Sequence, residues 1–131
     1  VSRGLGDVYK RQGEGRNMNT YKMVLNEDTR VLIYGNSIKV VRIRIDEINY
    51  ISCANRIIMI HTNNASDRFY GKMKDVYNLL GKYGFEYINE SEIVNCMNVS
   101  SMTVNSIILR EGTELICSKK FKQKFRNLMW N

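Results

Sequence analysis

Short apolar runs, each followed by a polar corner, are the main pattern along this chain. Within 42–45, for example, arginine alternates with isoleucine, and a period of two is typical of a strand that buries one face. Turn-forming residues such as Gly35, Asn36 and Ser37 separate one run from the next. In the first half of the chain we predict strands at 30–34, 38–45, 56–62 and 68–70, and another beginning at Tyr50.

A helical period of three to four residues occurs in two segments. Apolar residues with this spacing predict a helix at 73–83, which Gly84 ends. A second amphipathic helix is predicted at 120–130, where Phe121, Phe125 and Leu128 lie opposite the lysines. Its apolar stripe is expected to cover a sheet.

The second half of the chain otherwise repeats the strand pattern. Further short strands are predicted at 85–88, 93–94, 99–104, 106–109 and 115–117. A chain of 131 residues has room for one domain, because domains usually have about 100 to 150 residues. The predicted fold class is therefore mostly β, with one or two short helices.

The first segment of the chain, residues 1–17, resembles a translated adaptor or cloning tail. It begins VSRGLGDVYKRQ, and we expect residues 1–17 to be non-native and residues 18–131 to form the domain. Met18 is either the true start or the point where a longer protein was cut. Residues 1–17 hold four cations and two carboxylates, so +5 of the net charge of +7 belongs to the domain.

That charge is concentrated near the end of the chain. Five cations and no acid follow Cys117, namely Lys119, Lys120, Lys122, Lys124 and Arg126. A polyanion is one natural partner for such a segment, and a solvated surface with a few extra lysines is the other interpretation. We expect a cytoplasmic protein without membrane contact, because no apolar stretch approaches the roughly 18 residues of a span and no signal peptide is apparent.

The residues that usually carry catalysis or bind metals are sparse. The three cysteines are widely spaced, unlike the ligands of a zinc site, and are expected to be reduced thiols. His61 is the single histidine, and Glu90 and Glu92 have no nucleophile or base beside them in the sequence. We therefore expect no enzyme, no metal, no cofactor and no small-molecule substrate.

Three blocks of sequence, taken in order, carry a family resemblance. They are DEINYI at 46–51 with the strand ending in His61 and Thr62, YGKMKDVYNLL at 70–80, and FEYINESEIVN at 85–95. This order resembles the LytTR domain, the DNA-binding module of LytR/AgrA-type response regulators. The resemblance covers about residues 28–128, and 110–117 resembles the final hairpin of that family.

The resemblance implies an elongated fold of small antiparallel sheets whose loops enter successive major grooves of double-stranded DNA. The implied protein is a bacterial transcription regulator of a two-component system that recognises promoter repeats as a homodimer or on tandem sites. Base contacts are implied for Asn55, Arg56, Asn89, Glu90, Ser91, Lys119 and Lys120. Phosphate contacts are implied for Lys72, Lys74, Lys122, Lys124 and Arg126.

The chain departs from the family in the 89–92 loop. Where the family usually has histidine and then a basic or amide residue, this chain has Asn89 and Glu90, and Glu92 replaces an aromatic residue. Carboxylates repel phosphate, although Glu90 could accept a hydrogen bond from cytosine N4. The alternative hypothesis is a divergent protein-interaction module with weak or no DNA binding. Binding of RNA or single strands is a third option, disfavoured because few aromatics lie among the cations.

Overall fold

The computed structural model describes residues 21–129, with side chains described to residue 127. The predicted boundary between a tail at 1–17 and a domain from residue 18 lies outside these residues. Within them, the chain forms three antiparallel sheets and two α-helices. This confirms the mostly β fold class with short helices.

A five-stranded sheet occupies the centre, in the strand order β6-β5-β4-β8-β7. Both of its faces are covered, which is why its inner strands are apolar at successive positions rather than at every second one. Ile51 and Ile93 point to one core, whereas Val94 points to the other. Its strands are β4 (Ile48–Ala54), β5 (Ile57–Thr62), β6 (Ser66–Tyr70), β7 (Phe85–Asn89) and β8 (Glu92–Asn95).

An N-terminal sheet and a helix cover the first face. The sheet is formed by β1 (Lys22–Asn26), β2 (Val31–Gly35) and β3 (Val40–Arg44), and the helix is α1 (Met73–Leu80). Buried aliphatic and aromatic side chains fill the space between these layers, including Leu32, Tyr34, Ile58, Val76, Leu80 and Phe85.

A C-terminal sheet and the last helix cover the second face. They are β9 (Val99–Met102), β10 (Ser106–Leu109), β11 (Glu114–Ile116) and α2 (Lys119–Met129). The core on this side consists of Ile88, Val94, Ile107, Leu109, Leu115, Cys117, Phe121 and Phe125. The predicted cover of a sheet by Phe121 and Phe125 is thus confirmed, while the side chain of Leu128 lies outside those described.

The elements follow the sequence pattern, apart from shifts of one or two residues at strand ends and two larger differences. The helix predicted at 73–83 is α-helical over Met73–Leu80 and continues as a 3-10 turn to Tyr83, and Gly84 ends it with a φ of 90°. Strand β1 is absent from the sequence prediction, because its half-buried positions alternate over only five residues.

Buried asparagines join the central sheet to its flanking turns at the end opposite the β4–β5 hairpin loop. Asn95 is 2% exposed, and its Nδ2 donates to the carbonyls of Ile45 and Ile48, at 3.4 Å and 3.0 Å. Its Oδ1 accepts from the N–H of Met97 at 3.1 Å, which caps the 3-10 turn Cys96–Asn98. One side chain therefore bonds to three backbone groups from two segments at this end of the sheet.

Replacing Asn95 with alanine is expected to lower the free energy of unfolding by about 1 to 3 kcal/mol, because the Met97 N–H would lose its acceptor and two carbonyls would each lose one donor. Urea denaturation followed by circular dichroism measures this. Asn78→Ala, at an exposed position of α1, is the matched control and should leave the midpoint nearly unchanged. Equal midpoints for the two variants would contradict the role given to Asn95.

Candidate nucleic-acid interface

Three segments that are distant in sequence meet at one end of the central sheet. They are the β4–β5 loop at 55–56, the β7–β8 loop at 89–91 and the start of α2 at 119–120. The antiparallel pairing of β4 with β8 places Ser52 opposite Glu92, so the end of β4 lies beside the start of β8. The loops are joined directly, because the N–H of Cys53 donates to the carbonyl of Ser91 at 2.9 Å.

The third segment is attached to the second in the same way. The N–H of Ser118 donates to the carbonyl of Ile88 at 2.9 Å. Nδ2 of Asn89 lies 3.4 Å from the carbonyl oxygen of Ile116. The structure therefore brings together all seven residues for which the sequence implies base contacts.

The β4–β5 loop has an unusual backbone. Asn55 and Arg56 have φ values of 52° and 66°, the left-handed conformation that a two-residue type I′ hairpin turn requires at both positions. Asparagine adopts it readily, but arginine does so at a cost because its Cβ crowds the backbone. The side chain of Arg56 is exposed and has no partner among the described residues. It points its cationic head to the solvent from a rigid hairpin.

The β7–β8 loop is organised by Asn89. Its Oδ1 accepts from the N–H of Ser91 at 2.9 Å and lies 3.3 Å from the Ser91 hydroxyl. Its Nδ2 donates to Oε1 of Glu92 at 2.8 Å, in addition to the contact with Ile116. The amide thus makes four intramolecular contacts, so it shapes the loop from within.

The two acids of this loop have different surroundings. Glu92 is half-buried and is held by Asn89, whereas Glu90 is exposed and has no partner within residues 21–127. Burial, and secondarily the charge of Glu92, raises the pKa of Tyr50 on the neighbouring strand. Glu90 is therefore the single carboxylate of the 89–92 segment that projects freely from the surface.

The start of α2 presents two lysines beside a capped helix end. The Ser118 hydroxyl oxygen accepts from the N–H of Phe121 at 3.1 Å, which is a typical N-cap. Lys119 and Lys120 are exposed at the first two positions of the helix. The positive end of the helix dipole adds to their charge, so this corner attracts anions.

Two of the five residues implied to contact phosphate lie next to Arg56. The N–H of Gly71 donates to the Arg56 carbonyl at 3.0 Å, and Lys72 and Lys74 follow at the start of α1. Both lysines are exposed and have no side-chain partner among the described residues. They extend the positive surface around the β4–β5 loop.

The other three lie along α2, and two of them have internal partners. Lys122 donates to the carbonyl of Val104, and Lys124 forms an ion pair with Glu86 at 2.8 Å. The hydrogen bond to Glu86 raises the pKa of Lys124, and Glu86 also accepts from the Tyr77 hydroxyl at 3.1 Å. Arg126 is exposed further along the helix.

His61 has a neighbour that the sequence does not reveal. Its Nε2 lies 3.0 Å from Oγ of Ser52, and its ring stacks on Tyr50 with 4.1 Å between ring centroids. Burial lowers the pKa of His61, and the nearby Glu92 opposes this. No carboxylate in the described part of the chain hydrogen-bonds to the imidazole, so the pair lacks the group that orients a catalytic histidine.

The described residues contain neither a cluster of metal-ligating side chains nor a membrane-spanning helix. No group of three histidine, cysteine or acidic side chains there is placed to hold a metal ion. All three cysteines are free thiols, and burial raises the pKa of Cys96 to about 12. Between residues 21 and 129 neither helix is long and apolar enough to cross a bilayer.

Comparison with known proteins identifies the family of this chain. The sequence model of the LytTr DNA-binding domain matches residues 38–130. The fold is similar to the solved LytTr DNA-binding domain of a response regulator from Bacillus cereus, with a TM-score of 0.62 and 15% identity over 76% of this chain and 96% of that chain. No curated protein matches the sequence. Since the family model spans most of the sequence, this chain belongs to the family of LytTr DNA-binding domains.

Proposed function

We propose that this chain binds double-stranded DNA sequence-specifically, as the DNA-binding part of a cytoplasmic bacterial transcription regulator. The main support is the convergence of the 55–56, 89–91 and 119–120 segments, which backbone hydrogen bonds join at one end of the central sheet. Such loops, held by a sheet that is buried on both faces, project as rigid elements and are suited to enter a major groove.

The charge of this surface favours a polyanion. The three segments carry Arg56, Lys119 and Lys120 against one carboxylate, that of Glu90. Lys72 and Lys74 lie beside Arg56 and add positive charge. Neutralisation of DNA phosphates by such cations releases counterions, which supplies affinity without reading sequence.

The side chains of the surface have different proposed roles. Arg56 is suited to donate two hydrogen bonds to one guanine, and Lys119 and Lys120 also prefer guanine. Glu90 accepts a hydrogen bond from cytosine N4 and so contributes to sequence specificity. Its negative charge also weakens the attraction of this surface to phosphates. Asn89 acts by fixing the loop shape that presents Glu90 and Ser91.

Among the proposed phosphate contacts, Lys72 and Lys74 can bind a phosphate without breaking an internal hydrogen bond or ion pair of the described residues. Lys124 would leave Glu86, but exposed ion pairs contribute roughly 1 kcal/mol or less, so a phosphate can compete for it. Arg126 and Lys122 extend the contact along α2. Binding as a homodimer, or to tandem sites, would double this surface on promoter repeats.

A protein-interaction module with weak or no DNA binding is the second candidate. The observation in its favour is Glu90, which projects a carboxylate where a phosphate-facing surface would favour a cation. The two functions differ in their dependence on salt, since binding to a DNA backbone weakens steeply as salt rises.

For DNA binding through roughly five phosphate contacts, log K should fall with log salt at a slope of about −4 to −5. Fluorescence anisotropy from about 50 to 200 mM salt, with a duplex selected from a randomised library, measures this slope. Absence of binding to any duplex at the lowest salt would refute DNA binding and favour a protein partner.

Arg56→Gly should change stability and binding in opposite directions. Glycine relieves the left-handed strain, so the free energy of unfolding should rise by about 0.5 to 1 kcal/mol. Loss of the guanidinium should weaken binding by about 1 to 3 kcal/mol and relax preference at one base pair. Urea denaturation and anisotropy on duplexes with single base changes test both effects; unchanged affinity would remove Arg56 from the interface.

Changing Lys119 and Lys120 together to alanine should weaken binding by about 1 kcal/mol or more and alter site preference if either contacts a base. The matched control is Lys22→Ala combined with Arg42→Ala, which removes the same charge from the outer face of the N-terminal sheet. A change in the salt slope alone would assign both lysines to phosphates. Identical behaviour of the two double variants would exclude this corner from the interface.

A further inference from the structure

A groove lies beside the β4–β5 loop, between the β2–β3 turn and β6, the outermost strand of the central sheet within residues 21–129. Its volume is about 470 Å3. The walls are mainly apolar, and they include Ile38 from the turn together with Ile57 and Tyr70 from the central sheet. Two cations, Lys39 and Arg68, also line it.

The β2–β3 turn is rigid. Oδ1 of Asn36 accepts the N–H groups of Ile38 and Lys39 at 2.9 Å and 3.0 Å. A Cβ on Gly35 would lie 2.2 Å from the Lys39 carbonyl oxygen, so the turn closes this tightly only with glycine there. These contacts therefore fix the backbone position from which Ile38 projects.

The turn is also fixed to the edge strand of the central sheet. Nζ of Lys39 pairs with Asp67 at 2.8 Å, and the Tyr34 hydroxyl donates to the same carboxylate at 2.6 Å. Burial, together with Asp67, raises the pKa of Tyr34, which keeps this hydroxyl a donor. Lys39 already has an internal partner, whereas Arg68 is the cation of the groove without one among the described residues.

Two large side chains of the groove, one aliphatic and one aromatic, are exposed to solvent. Ile38 is 69% exposed and Tyr70 is 45% exposed. The Arg68 side chain is exposed and has no partner within residues 21–127. Rigid apolar groups beside an unpaired cation are typical of a binding surface.

The groove is continuous with the proposed DNA interface. Ile57 directly follows Arg56 and pairs in register with Tyr70, and Gly71 bonds to the Arg56 carbonyl. Arg56 directly precedes Ile57 in the sequence, and Lys72 follows Tyr70 by two positions. A duplex that contacts Arg56 and Lys72 therefore lies beside the groove.

We propose that this groove is a further DNA contact, which receives the sugar–phosphate backbone flanking the base pairs at Arg56. Ile38 and Tyr70 pack against deoxyribose, and Arg68 binds a phosphate. The proposal rests on the proposed function and extends its footprint. A second copy of the chain fits less well, because two Arg68 side chains would approach each other across the paired β6 edges.

The test uses anisotropy with the selected duplex, as a function of salt. Arg68→Ala should reduce the magnitude of the slope by about 0.9, the value for one lost phosphate contact, whereas Arg42→Ala on the outer face of β3 should not. Ile38→Glu should weaken binding roughly tenfold through repulsion, whereas Val24→Glu, at another exposed aliphatic position, should not.

Hydroxyl-radical footprinting adds a readout that affinity does not give. The wild-type chain should protect deoxyribose beyond the base pairs next to Arg56, and Ile38→Glu should lose that flank alone. Urea midpoints equal to that of the wild type show that these exposed substitutions leave the fold intact.

The outcomes distinguish the two levels of the proposal. A wild-type chain that binds no duplex overturns the proposed function itself. If the wild-type chain binds DNA, two results together would overturn the groove contact alone. Arg68→Ala would have the same salt slope as Arg42→Ala, and Ile38→Glu would have the same affinity and footprint as Val24→Glu.

Discussion

The antiparallel pairing of β4 with β8 is the contact on which the rest of the structure depends. These strands lie at the centre of a sheet whose two faces support separate cores, with Ile51 and Ile93 on one side and Val94 on the other. A slip of one residue would move each apolar set to the wrong face, so both cores specify the same register. That register also places the loops at 55–56 and 89–91 side by side, which makes the proposed interface a consequence of core packing.

The acidic 89–92 loop shows how packing changes the meaning of a sequence. Taken alone, Glu90 and Glu92 suggest a loop with two free carboxylates. In the fold, Glu92 accepts a hydrogen bond from Asn89 and belongs to the structure of the loop. Both carboxylates keep their charge, but that of Glu90 alone projects without an internal partner among the described residues, which is compatible with a cytosine contact.

Local strain and exposure coincide on the same side of the molecule. Arg56 adopts a left-handed backbone that glycine would adopt more easily, and Ile38 exposes an aliphatic side chain from a rigid turn. The strain reduces the stability of the isolated chain and the exposed isoleucine contributes little to it, and both features are explained if this side is covered by DNA. At the opposite end, by contrast, the buried side chains of Asn49 and Asn95 are hydrogen-bonded within the chain.

The sequence by itself determined the fold class, most strands, both helices and the family, because alternation, helical spacing and the order of motifs are properties of neighbouring residues. It missed β1, whose pattern is short, and it could not show that Ser52 lies against His61 or that Lys124 pairs with Glu86. Such contacts depend on strand register and on how layers stack. Only the tertiary structure therefore decided which candidate residues meet at one end of the sheet and which are occupied by internal partners.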